Sequence, residues 1–149
     1  MVTHPITKLV LLFCSFLPAV RVYAQNELFT AASTNDKAQV ERLISLGQQV
    51  NAKLNGTTPL MMAARNGHTE VIKVLLDNNA LIDMTDNTGN TALILATLSR
   101  RVSAVRLLLT RSADMEKKNK IGLSAMDVAR MKGYTDIEQI LDSFKSPEG

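Results

Sequence analysis

A period of 33 residues runs through most of this 149-residue chain and leaves few folds open to it. Gly56, Gly89 and Gly122 share that spacing, as do Thr58, Thr91 and Ser124, then Leu60, Leu93 and Met126, then Ala63, Ala96 and Ala129. The register continues through Val71, Ala104 and Ile137, through Val74, Leu107 and Ile140, and through Leu75, Leu108 and Leu141. An earlier copy fits at a spacing of 32: Leu28, Ala31, Ala32, Val40, Leu43, Ile44, Val50 and Asn51. Such agreement marks an array of one supersecondary unit, in which each copy buries its apolar face against its neighbours.

Each recurring position has a physical task. Gly56 and Gly89 lie in a loop before a helix, where a backbone with φ > 0 is wanted. Thr58, Thr91 and Ser124 suit the N-cap, their hydroxyls accepting from free N–H groups of the first turn. Pro59 fits the first helical position, where its missing N–H does no harm. Ala63 and Ala64 keep that helix thin so that a partner can approach. Gly67 ends it, and Gly133 does the same in the last copy. Val71, Val74 and Leu75 then form an i, i+3, i+4 apolar stripe of helical period. Aromatic residues are 4% of the chain and Trp is absent, so the core must be built from Leu, Ile, Val, Met and Ala, which favours helix-on-helix packing over a β-sandwich.

The stretch from Gly56 to Ile72, Gly-Thr-Thr-Pro-Leu-Met-Met-Ala-Ala-Arg-Asn-Gly-His-Thr-Glu-Val-Ile, with Val74-Leu75-Leu76 after it, resembles the ankyrin repeat. The resemblance covers about residues 26–147. It implies an all-α fold, an ankyrin-repeat solenoid of four helix-turn-helix repeats with projecting β-hairpin loops and a concave recognition surface. The expected repeats are about 26–53, 54–86, 87–119 and 120–147, in a domain of residues 25–149. Three departures carry consequences. Met61, Ile94 and Asp127 stand where the family has His, so the hydrogen bonds that His makes between neighbouring loops should be missing. Arg100-Arg101 replaces Gly-His in repeat three. A left-handed Arg100 would cost of the order of 1 kcal/mol, which predicts that repeat three is the least regular unit. Asp142 falls where Leu76 and Leu109 sit, and Asn35-Asp36 replaces Gly-His in repeat one. These end copies read as polar caps, so that four repeats complete the domain.

The first 24 residues read as an address. Met1 to Lys8 is short and positively charged, Leu9 to Val20 is an apolar run, and Val22-Tyr23-Ala24 has small residues at its first and third places. This is the pattern of a cleavable secretory signal. The apolar run is too short to span a membrane, which takes about 20 residues. The expectation is therefore a signal peptide over 1–24, a mature start at Gln25, and a periplasmic or secreted protein. An uncleaved anchor is the rival. Cys14 lies inside this segment, so the mature chain would hold no cysteine and neither disulfide nor thiol chemistry. The formal charge of +3 includes Lys8 and Arg21, and the remainder is near neutral. Together with the lack of base-stacking aromatics, this argues against a nucleic-acid partner.

No catalytic constellation is visible. His68, the one histidine of the expected mature chain, occupies the turn between two helices, where the family pattern puts a structural His. One His without Cys or clustered carboxylates is no metal site. Asp83 and Asp86 fall in a hairpin. Gly56-Thr57-Thr58 lacks the Gly-Lys-Ser/Thr ending of a phosphate loop. Neither a catalytic residue nor a metal or other cofactor is expected. A basic cluster, Arg100, Arg101, Arg106, Arg111, Lys117, Lys118 and Lys120, is opposed only by Asp114 and Glu116; it is a solvated surface or a patch for an acidic partner.

The expected function is therefore a non-catalytic protein-binding module of the cell envelope, monomeric when free. It would act as an accessory factor for an exported enzyme, as signal-bearing bacterial ankyrin proteins suggest, or as an immunity protein against an effector. An envelope enzyme using a carboxylate of raised pKa is the alternative from another class. In the ankyrin family the hairpin tips and the exposed side of the first helix make the contacts. Placed on this sequence, those positions are Ser33 and Thr34; Leu54, Asn55, Thr57, Arg65 and Asn66; Asn87, Thr88, Asn90, Leu98 and Ser99; and Lys120, Ile121, Leu123, Met131 and Lys132. Leu54, Leu98, Ile121, Leu123 and Met131 are apolar at places expected to face water, which marks a contact patch. Arg65, Lys120 and Lys132 would form its polar rim.

Overall fold

A computed structural model describes residues 27–145. The expected signal segment lies outside the described residues. Eight helices follow one another within them: α1 (helical over 27–33), α2 (Lys37–Ser45), α3 (Pro59–Asn66), α4 (Thr69–Asp77), α5 (Ala92–Leu98), α6 (Val102–Thr110), α7 (Ala125–Lys132) and α8 (Thr135–Phe144). They form four helix pairs. The odd-numbered inner helices stack in order, α3 on α5 and α5 on α7, and the even-numbered outer helices stack as α2, α4, α6 and α8. Within a pair the two helices pack antiparallel across a tight turn, as α3 against α4 does.

The helix starts follow from side-chain chemistry. The hydroxyl of Thr58 accepts from the Met61 N–H, that of Thr91 from the Ile94 N–H, and that of Ser124 from the Asp127 N–H. The inner helices α3 and α7 end at Gly67 and Gly133 in the left-handed conformation, φ 81° and 69°. Ala63, Ala64, Ala96 and Ala129 are fully buried, so the inner helices present small surfaces to their partners. One continuous apolar core runs from Leu28 in the first pair to Leu141 in the last.

The stack ends in polar residues. Ala64, Ile72 and Leu76 in the second pair correspond to Thr97, Val105 and Leu109 in the third, and all but the half-buried Leu76 are buried. In the last pair the same places hold Arg130, Glu138 and Asp142. Arg130 and Glu138 face each other at 4.0 Å across α7 and α8. The first outer helix likewise has Gln39 and Arg42 where the later copies have Val71 and Val74, Ala104 and Leu107, and Ile137 and Ile140. A polar outer face replaces the packing surface at both ends, as solenoids require.

Repeat three departs from its neighbours in the direction expected. Its inner helix α5 is one residue shorter than α3 or α7, with 7 residues against 8. Arg100 does adopt a left-handed φ of 50°. Its guanidinium, however, lies 5.2 Å from the centroid of the Tyr134 ring and 3.4 Å from the Asp136 carboxylate, both in the next repeat. Arg101 Nε donates to the Arg65 carbonyl of the preceding repeat at 3.1 Å. In repeat two, His68 Nε2 meets the Ser33 carbonyl at 2.9 Å in the equivalent place. Arg101 thus takes over the bridging task of a turn histidine, and the contacts of Arg100 oppose its backbone strain.

Candidate protein-binding face

The loops between pairs are tight hairpins with hardly any strand character. Among the described residues the only bridge is Leu54 with Thr57, closed by two backbone bonds of 2.9 and 3.0 Å. Between them Asn55 and Gly56 both have positive φ, 51° and 83°. This is the two-residue Asn-Gly turn whose twist matches that of a β-hairpin. It is one residue shorter than the other hairpins, which accounts for the 32-residue spacing of the first copy. The later hairpins have three-residue loops. Asp86 N–H donates to the Asn90 carbonyl and Gly89 N–H to Asp86, and Asn119, Gly122 and Leu123 repeat this arrangement. Gly89 and Gly122, at φ 81° and 82°, supply the left-handed residue such loops need.

Neighbouring hairpins are tied together without the missing histidine. Asn51 Oδ1 accepts from the Leu81 N–H and Asp83 Oδ1 from the Asp114 N–H. Asn87 Nδ2 donates to the Asn55 carbonyl, Asn119 Nδ2 to Asn90 Oδ1, and the Lys120 N–H to the Thr88 carbonyl. The bonds that a His would make are absent, as expected, but the loops are not left untied. Asparagine, aspartate and backbone groups tie them, while Asp127 and Met61 cap their own helices.

The predicted contact residues divide three ways. Ile121, Met131 and Leu54 are exposed apolar side chains, at 78%, 61% and 36%. Arg65, Lys120 and Lys132 are exposed cations that make no ion pair among the described residues. Thr34, Asn55, Asn87 and Thr88 are exposed too, and Ser33, Thr57, Asn66 and Ser99 are half-buried. Asn66 Nδ2 donates to the Ser33 carbonyl, so it bridges two repeats. The remaining three are corrected. Leu98 and Leu123 are half-buried and pack against the core rather than standing in water. Asn90 is buried, its amide bonded to Thr88 Oγ1, Asp86 Oδ2 and Asn119. The sequence reading missed Met62 and Leu95, half-buried on α3 and α5, one turn before Arg65 and Leu98. Their i, i+3 spacing from those residues was the available signal. The other large exposed apolar residues, Leu46, Leu81 and Phe144, sit at or just beyond the ends of outer helices.

A family profile of ankyrin repeats, in three copies, matches residues 28–119. The chain belongs to the ankyrin-repeat family. It is 30% identical over 129 residues, 85% of its length, to human transient receptor potential cation channel subfamily A member 1, of which it spans 12%. It is 39% identical over 75 residues, half of its length, to mouse protein phosphatase 1 regulatory subunit 12A, of which it spans 7%. A putative ankyrin repeat protein of Rickettsia bellii is 41% identical over 64 residues, 42% of this chain and 27% of that protein. The chain thus spans only a small part of each of these relatives. The helix pair α7–α8 lies beyond the matched stretch and packs on α5 and α6 as another ankyrin repeat. Ankyrin repeats generally mediate binding between proteins.

Three carboxyls are held below the ordinary carboxylate range. For Asp127 the cause is the hydrogen bonds donated by the Ser124 N–H and hydroxyl; for Glu70 it is the bond from Lys73. Burial pushes Asp86 up, but the bonds donated by Thr88 and Asn90 outweigh it. These carboxylates serve caps, turns and pairs, and a lowered pKa is the opposite of what a general acid needs. The basic cluster of 100–120 is not one patch. Arg100 pairs with Asp136, Arg111 with Asp77, Arg101 bonds to the Arg65 carbonyl and Lys117 to the Asp83 carbonyl. Among the described residues no His, Cys, Asp and Glu side chains cluster as a metal site would need, and no helix is long and apolar enough to cross a membrane.

Proposed function

We propose that this ankyrin-repeat chain is an exported, non-catalytic module that holds a partner protein on the exposed side of its inner helices and its hairpin tips. The carrying observation is that Ile121 and Met131 are left largely exposed there, beside cations that have no ion-pair partner among the described residues. The binding role follows the family; the face, the partner and the location belong to this proposal. Capture from the envelope fraction with the full chain as bait, followed by mass spectrometry, identifies the partner. Changing Ile121 and Met131 together to Ser should then weaken binding of the purified partner by roughly 2 kcal/mol or more. The thermal midpoint should move little, because both side chains already stand in water. Arg106→Ala, on the exposed side of the outer helix α6, should leave binding unchanged. Normal binding by the double variant with loss in Arg106→Ala would place the contact on the opposite side.

Export rests on Lys8, the apolar run Leu9 to Val20, and Val22-Tyr23-Ala24. The mature protein should begin at Gln25 and occupy the periplasm or the medium. Intact mass measured on native protein checks this, and a soluble cytosolic form retaining residues 1–24 would refute it. Within the binding reading, a neighbouring gene for a catalase favours the accessory role, and one for an effector lipase or nuclease favours immunity.

A further inference from the structure

The carboxylates of the described residues are largely committed. Glu41, Glu70, Asp77, Asp136 and Glu138 sit in ion pairs with Lys37, Lys73, Arg111, Arg100 and Arg130. Asp36 and Asp127 cap helices, and Asp83, Asp86 and Asp114 accept backbone N–H bonds in the hairpins. Five cations share those pairs and Lys53, Arg101 and Lys117 bond to carbonyls, but others are left over. Arg65 near the end of α3, Lys132 at the end of α7 and Lys120 at a hairpin tip are exposed, with no ion pair among the described residues. Arg65 lies one repeat before Leu98, and Leu98 one repeat before Met131. An inner helix of 8 residues is about 12 Å long. These three unpaired charges stand at the turn end and at the hairpin end of a strip whose exposed apolar groups are Leu54, Ile121 and Met131, while Arg42 and Arg106 on outer helices, Lys118 in the last hairpin and Lys145 after α8 are exposed and without an ion pair among the described residues as well.

We infer that the partner segment taken by this face is acidic, with carboxylates opposite Arg65, Lys120 and Lys132 and an apolar side chain against Ile121 and Met131. This rests on the binding reading above and adds the chemistry of the partner. Charges that an interface leaves unmatched select against a basic partner and speed encounter with an acidic one. Each exposed pair contributes little, so three together are worth roughly tenfold in affinity, and the effect fades as salt screens it.

The test uses the full chain and a fluorescein-labelled peptide of Glu, Asp and Leu, with a peptide of Gln, Asn and Leu of equal length as reference, read by anisotropy at low and at high salt. The acidic peptide should bind roughly tenfold tighter at low salt. Changing Arg65, Lys120 and Lys132 together to Gln should remove that advantage without shifting the thermal midpoint. The single charge reversal Lys132→Glu should remove part of it, and Arg106→Gln none. Equal binding of the two peptides, or an equal loss in Arg106→Gln, overturns the inference. So does a single-stranded oligonucleotide or a phosphatidylglycerol vesicle that binds as tightly through the same three residues. The captured partner separates the two readings. If it is lost by the Ile121 and Met131 double variant but kept by the triple charge variant, the face is right and the acidic partner is wrong. If both variants keep it, the face itself is wrong and the inference falls with it.

Discussion

Gly89 and Gly122 hold the same place in successive hairpins and the same left-handed backbone, yet their surroundings differ. A Cβ on Gly89 would lie 2.7 Å from the Lys120 backbone nitrogen and 3.2 Å from Asn119 backbone atoms, whereas one on Gly122 would meet nothing within 4 Å. Gly122→Ala should therefore cost only the left-handed penalty, about 1 kcal/mol. Gly89→Ala should cost distinctly more, because the next hairpin must shift, and urea unfolding of the two variants should show that order. Asp86 and Asn119 form a second matched pair. Both accept the turn N–H groups, Asp86 from Thr88 and Asn90, Asn119 from Ile121 and Leu123. Asp86 has a folded pKa below its unfolded one. Its contribution is thus fully present above the unfolded value of about 3.9 and is lost as pH falls through the lower folded value. Asp86→Asn should keep the turn, as Asn119 does, and flatten part of the acid limb in a plot of unfolding free energy against pH. Caps and glycines of this kind were legible because their chemistry is local: Thr58, Pro59, Gly67 and Gly133 each serve backbone groups within a turn or so of themselves. Asn90 was not. Its burial depends on Asn119, 29 residues away.

The turn at Arg100 shows how an element can carry a conformation that its sequence disfavours. Left-handed backbone at a residue with a Cβ costs about 1–2 kcal/mol, while an exposed cation–π contact and an exposed ion pair return about 0.5–1 and 0–1 kcal/mol. Arg100→Gly removes the strain and the contacts together and should leave stability within about 1 kcal/mol of the parent. Arg100→Ala keeps the strain, loses Tyr134 and Asp136, and should be less stable by about 1–2 kcal/mol. Chemical denaturation of both variants decides it; an Ala variant as stable as the Gly variant would mean that the contacts contribute nothing. The sequence could show the strain but not its compensation, since Tyr134 and Asp136 belong to the next repeat. Hairpin shape was more legible than the reading made of it. Leu54-Asn55-Gly56-Thr57 carries the Asn-Gly signal for a two-residue turn, and the single missing residue explains the altered spacing. The candidate face was only partly legible. Leu98 shares its repeat position with the exposed Met131, and Leu123 with the buried Asn90, and only packing shows that both leucines lean on the core.

At the scale of the whole molecule, four members of the basic cluster of residues 100–120, Arg100, Arg101, Arg111 and Lys117, go into separate contacts between repeats, while Arg106, Lys118 and Lys120 stay exposed without an ion pair among the described residues. Neither was visible from charge order alone, because the partners are about one repeat away: Arg111 meets Asp77 and Arg100 meets Asp136. The same long-range stitching governs stability. Apolar residues of all four helix pairs form one core, and each inner helix packs against its neighbours through buried alanines. No pair buries its own apolar face, so unfolding should be cooperative across the array. Ala63 is fully buried on α3, which packs on both α4 and α5. Ala63→Leu should overpack that junction and cost roughly 1–3 kcal/mol. Hydrogen exchange distinguishes how the loss is shared. In a coupled stack the most protected amides of α5, α6, α7 and α8 lose protection along with those of α3 and α4, although the substitution touches none of the last pair. If α7 and α8 kept their full protection while α3 and α4 exchanged faster, the bridges made by Arg100 and Arg101 would not be coupling the halves of the array, and repeat three would be its weak joint after all.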